Sequence, residues 1–129
     1  MWEPLTNVNT IEIYLNSAEY CEEKEQLARV LELLRKTAYR DLLSVVTSLG
    51  HLRLTTALRY EDDRAECPHP SISLSRSPDN KIQVSYFPGG RGKERDKVSA
   101  KKQVRTAEEA VAFIGTLMVR MQHDCRFPD

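Results

Sequence analysis

The chain reads as a single α+β domain spanning residues 1–129. The expected architecture is an antiparallel sheet of four strands, or five with a short edge strand, with two helices on one face in the order β-α-β-β-β-α. Three patterns predict it. Ile72 and Leu74, the turn Ser77-Pro78-Asp79-Asn80, then Ile82, Val84 and Tyr86 have the period and turn chemistry of a β-hairpin. Thr106-Ala107-Glu108-Glu109 has the form of a capping box, and it precedes an apolar stripe at Ala110, Val111, Ile114, Leu117, Met118 and Met121. The strand-like segments also cluster between two helical ones, which favours an antiparallel sheet over βαβ units.

Taken in order, residues 8–15 alternate at Ile11, Ile13 and Leu15 and predict a half-buried strand. Asn16, three residues before Glu19, predicts a helix start. Apolar spacing from Leu27 through Leu34, Ala38, Leu42 and Val45 to Leu49 predicts a helix over 17–49, with Gly50 as its stop. Such a helix would span roughly 50 Å at about 1.5 Å per residue. Its neighbouring strands would span only roughly 26 Å. It must therefore bend, break near Thr37 or overhang the sheet. Residues 52–60 predict a strand with Leu52, Leu54, Thr56, Leu58 and Tyr60 on one face and Arg53 and Arg59 on the other. A short edge strand is expected around 98–104. Gly115 weakens the last helix by about 1 kcal/mol relative to Ala.

The formal charge is zero, yet it is unevenly distributed. Residues 88–105 hold seven Lys/Arg against two acids, a net of +5, while residues 1–26 hold six Glu against one Lys, a net of −5. Arg91, Lys93, Arg95, Lys97, Lys101, Lys102 and Arg105 are the candidate binding residues, for an anionic partner or for internal pairing with the acidic start. Three acids of that start, Glu19, Glu22 and Glu23, are also what a helix N-terminus favours.

Several classes of chemistry find no pattern here. The loop Pro88-Gly89-Gly90-Arg91-Gly92-Lys93 is not a phosphate-binding loop: a Walker-type match would need Gly where Phe87 stands and Ser or Thr where Glu94 stands. The dinucleotide pattern fails at Arg95. Cys67-Pro68-His69 and His123-Asp124-Cys125 offer two Cys and two His, but the gap within each pair is one residue, whereas zinc pairs are separated by two to four. No metal and no cofactor is expected. Glu61-Asp62-Asp63 reads as a solvated loop, and no catalytic motif occurs, so no catalytic residue is assigned. No apolar run approaches the roughly 18 residues of a membrane span, and Met1-Trp2-Glu3-Pro4 does not begin a signal peptide. Three cysteines, an odd number, suit a reducing compartment, so a cytoplasmic location is expected.

The expected function is a non-catalytic protein-binding or regulatory domain, with self-association into a homodimer as one form of that contact. The second reading is weak nucleic-acid binding through the basic 88–105 segment. An enzyme with an unrecognised pocket is the third.

Overall fold

The 71–87 hairpin forms as its sequence requires. In the computed structural model, which describes residues 2–17, 23–48, 51–56, 69–77, 79–89 and 97–124, Ser71–Arg76 pairs antiparallel with Ile82–Phe87. Asn80 takes the turn's left-handed conformation at φ 61°, which Asn tolerates better than most residues. The turn closes with Ser77 N donating to Lys81 O at 2.8 Å and Asn80 N to Ser77 O at 3.2 Å.

Around this hairpin the described elements are β1 (Trp2–Pro4), α1 (Thr10–Ser17), α2 (Glu23–Arg35), a 3-10 turn at Ala38–Asp41, β2 (Ser44–Ser48), β3 (His51–Thr55), β4 (Ser71–Arg76), β5 (Ile82–Phe87), β6 (Ala100–Val104) and α3 (Ala107–Asp124). The six strands lie in sequence order, and each pairs antiparallel with the next. The class is α+β as expected. The count is larger, at six strands and three α-helices among the described residues.

The register sorts side chains by parity. Glu3, Val45, Leu54, Ile72, Tyr86 and Ala100 share one row, and Thr47, Leu52, Leu74, Val84 and Lys102 the next, on the face that α2 and α3 cover. Leu27, Val30, Leu31 and Leu34 of α2 bury against this face with Ala110, Ile114, Leu117, Met118 and Met121 of α3. Burying one such aliphatic side chain is worth about 1.5–3 kcal/mol, so these rows and stripes dominate stability. The opposite face carries the row Trp2, Val46, Arg53, Ser73, Ser85 and Lys101, with the Arg53 guanidinium 5.7 Å from the Trp2 ring centre.

Two sequence expectations are corrected. Residues 10–17 form a helix, not a strand. Thr10 and Tyr14 are buried one turn apart, and Ile11 packs against the core, so a helical face wins over the Ile13/Leu15 alternation. Asn7 and Asn9 start that helix: Asn7 Oδ1 accepts from Asn9 N at 3.0 Å, and Asn9 O accepts from Ile13 N at 2.9 Å. Thr10 Oγ1 donates to Pro4 O at 2.7 Å and ties the helix to β1.

The expected helix over 17–49 is the second correction. α2 stops at Arg35, and the break falls at Thr37. Thr37 Oγ1 donates to Leu34 O at 2.6 Å and accepts from Tyr39 N at 3.2 Å, closing one helix and capping the 3-10 turn. Beyond it Ser44–Ser48 form β2, where Val45 points into the core and Val46 away from it, while Leu42 ends the 3-10 turn and Leu49 lies outside the described residues. The β-branched run Val45-Val46-Thr47 suits a pleated strand better than a helix. The expected start at Asn16 and Ser17 instead falls within α1, while Glu19, the expected stop Gly50, and Leu58, Arg59 and Tyr60 lie outside the described residues. β3 spans His51–Thr55, with Leu52 and Leu54 buried as expected and Arg53 on the other face. The expected edge strand is β6. β1 was not expected: it is three residues long and contains a proline, so it has no period to read.

Gly115 faces Tyr39, and a Cβ built there would lie 3.6 Å from the tyrosine oxygen, an ordinary contact. Gly115→Ala should therefore stabilise the protein by about 0.5–1 kcal/mol through helix propensity. Leu54→Ala should destabilise it by about 2–5 kcal/mol, because the residue is fully buried in the central row. Urea denaturation of both variants checks the two signs.

Candidate functional site

β6 pairs with β5 on one side and, among the described residues, ends the sheet on the other. Its sequence, Ala-Lys-Lys-Gln-Val, puts Val104 into the core and leaves Lys101, Lys102 and Gln103 exposed. Alternation then sends the two lysines to opposite faces. Lys102 shares the inner row with Val84, and its ammonium stands 5.5 Å from the centre of the Phe113 ring on α3. Lys101 shares the outer row with Ser85, and Gln103 faces Gln83 across the strands, with Gln103 Nε2 donating to Gln83 Oε1 at 3.5 Å.

α3 runs beside this edge and is held there at both ends. Glu109 N donates to Thr106 Oγ1 at 3.1 Å, the expected capping contact. The Glu109 carboxylate reaches one residue further back than a standard box and accepts from Arg105 N at 3.3 Å. Three helical turns on, Arg120 lies 5.1 Å from the centre of the fully buried Tyr86 ring and donates to Ser99 Oγ.

Of the seven candidate cations, Arg91, Lys93 and Arg95 lie outside the described residues. Lys97, Lys101, Lys102 and Arg105 are exposed, all along the β6 edge. They share an edge but not a face. Three ion pairs lie elsewhere: Arg29 with Glu32 and Glu108, at 3.5 and 3.8 Å, and Arg40 with Asp41 at 3.9 Å. No carboxylate among the described residues pairs with the side chain of Lys101, Lys102 or Arg105.

Glu3, the first acid of the acidic start, lies at the far edge of the sheet from β6. Glu3 belongs to β1 at the opposite end of the sheet and accepts from Asn7 Nδ2 at 3.0 Å. Five inter-strand spacings of about 4.8 Å separate β1 from β6, or roughly 24 Å. That is more than twice the screening length of about 8–10 Å. Glu12 and Glu25 are exposed on α1 and α2; Glu19 and Glu22 lie outside the described residues.

The cysteine–histidine constellation is only partly described. His69 is in contact with Thr56, Nδ1 to Oγ1 at 3.2 Å, and His123 stands exposed in the last turn of α3. Cys67 and Cys125 lie outside the described residues, as does the Glu61-Asp62-Asp63 run. Among the described residues no three His, Cys, Asp or Glu side chains gather, and no helix is long and apolar enough to cross a membrane. A concavity of about 590 Å³ opens between α1, the end of α2 and the 3-10 turn, lined by Thr6, Ile11, Glu32, Arg35, Arg40 and Asp41 among others. Sequence reading could not find it, because its walls come from segments placed in one long helix and one strand. Its lining mixes charges of both signs and offers no nucleophile with a base beside it. Comparison of the chain with protein-family models, with curated proteins and with solved structures gives no significant match.

Arg120→Ala removes the guanidinium that covers Tyr86 and the bond to Ser99. It should cost about 1 kcal/mol in urea denaturation, since a cation–π contact at a partly exposed site is worth about 0.5–1 kcal/mol and the aliphatic stem adds packing.

Proposed function

We propose that this chain is a non-catalytic binding domain that acts through contact with another protein. One observation carries the reading: the cationic free edge of the sheet at β6, whose Lys101, Lys102 and Arg105 have no carboxylate partner among the described residues. Exposed cations are common, and charges on an edge strand also keep sheets from pairing at random. Here they are concentrated at one end of the sheet, and α3 lies alongside as a second wall. That arrangement supports a recognition edge for an anionic partner.

Two alternatives are less well supported. A nucleic-acid backbone is a single line of phosphates and favours cations that converge on one face, whereas Lys101 and Lys102 diverge. Self-association drew on an overlong helix, and α2 ends at Arg35. Antiparallel pairing of β6 with a second β6 centred on Lys102 would also set lysine against lysine, which is destabilising. The cytoplasmic location remains the expectation that accompanies the three cysteines.

Affinity capture from extracts of the source cells, with wild-type protein and with a Lys101→Glu/Lys102→Glu/Arg105→Glu variant, tests the proposal. A polypeptide retained near one-to-one by the wild type and lost from the variant is expected. Recovery of nucleic acid alone, or of the same polypeptides by both proteins, would overturn it.

A further inference from the structure

Building on that binding reading, we infer that the β6 edge takes an extended acidic segment of the partner as a seventh strand. The alternation that spoils β6 as a track for phosphates suits this occupant. An added strand presents side chains to both faces of the sheet, so cations on both faces can be answered at once. Lys101 projects to the outer face and Lys102 to the helix face. Two consecutive acids on the incoming strand would then meet one lysine each.

The edge is built to receive such a strand. Ala100–Val104 is five residues long, a usual strand length, and among the described residues only β5 pairs with it, on one side. On the helix face a partner side chain would lie beside Lys102, the half-buried Phe113 ring and Arg120. An acid there gains charge complementarity and its methylenes an aromatic wall. The acid of this stretch of α3, Glu109, already accepts from Arg105 N. Main-chain hydrogen bonds would supply sequence-independent affinity, and the paired acids would supply selection against neutral or basic strands. The same lysines that exclude a second copy of β6 therefore select its complement.

The test uses the full chain and two synthetic peptides, one containing Val-Thr-Glu-Glu-Val-Thr and the other Val-Thr-Lys-Lys-Val-Thr, with polyglutamate as a charged control of low strand propensity. Amide exchange and chemical-shift titration are followed by NMR. The acidic peptide should slow exchange of the β6 amides that point away from β5 and should bind about tenfold or more tightly than the basic one at low salt. Lys101→Glu/Lys102→Glu should reverse that preference. Lys101→Gln/Lys102→Gln should abolish it while leaving the spectrum of the core unchanged. Polyglutamate binding as tightly as the acidic peptide, or shifts that bypass 100–104, would overturn strand addition. A captured protein that depends on Lys101 and Lys102 yet leaves β6 exchange unchanged would refute the strand geometry alone, with the binding role intact.

Discussion

Glu3, Val45, Leu54, Ile72, Tyr86 and Ala100 stand in one row across six strands. That row can be buried under α2 and α3 only if every strand pair keeps the same parity. A slip of one residue at any pair would turn the aliphatic side chains of everything beyond it toward the polar face and bring serines inward. The hairpin turn at Asn80 fixes the parity of β4 against β5, and the buried rows propagate it in both directions. Burial of Val104 against Ile82 extends it to β6. The placement of Lys101 and Lys102 on opposite faces is thus a consequence of core packing. Their divergence cannot be relaxed without exposing Val104.

That constraint explains which parts of the fold could be read from the sequence. The hairpin was legible because turn residues and a two-residue period coincide in it, and α3 because a capping box precedes an apolar stripe; β6 carries neither signal and was expected only as a short edge strand. The segment 8–15 was not, because eight residues are too few to separate a two-residue period from a helical one. Ile11 and Tyr14 lie on one helical face, while Ile11, Ile13 and Leu15 mimic a strand. In 42–49 the apolar residues are nearly continuous, and a buried strand and a buried helix look alike over that length. The signal that could have separated them is Thr37. A residue that bonds its own backbone neighbours breaks a helix, and the β-branched run after it marks a strand. The candidate site was legible as a list of cations and as an edge strand, but not as a geometry. Only the register determines that two adjacent lysines diverge.

The charge asymmetry of the chain becomes, once folded, an asymmetry across the sheet. Glu3 sits at one edge and the described cations of 97–105 at the other, roughly 24 Å apart by strand spacing. At physiological ionic strength that distance allows little direct attraction. Glu3 therefore does little to neutralise Lys101, Lys102 and Arg105. The ion pairs that do form, around Arg29 and Arg40, are exposed and contribute about 0–1 kcal/mol each.

An edge strand faces two opposing demands. It must not pair with copies of itself, yet a binding edge must pair with its partner. Uncharged edges cannot satisfy both, because main-chain hydrogen bonding alone does not discriminate between strands. Placing like charges at adjacent positions, one per face, resolves the conflict. Antiparallel self-pairing centred on Lys102 then sets lysine against lysine on the helix face, while a strand with two consecutive acids meets attraction on both faces. Phe113 strengthens the discrimination on the helix side, since its ring already holds the Lys102 ammonium close to where an incoming carboxylate would lie. Solubility and selectivity would then come from the same two side chains.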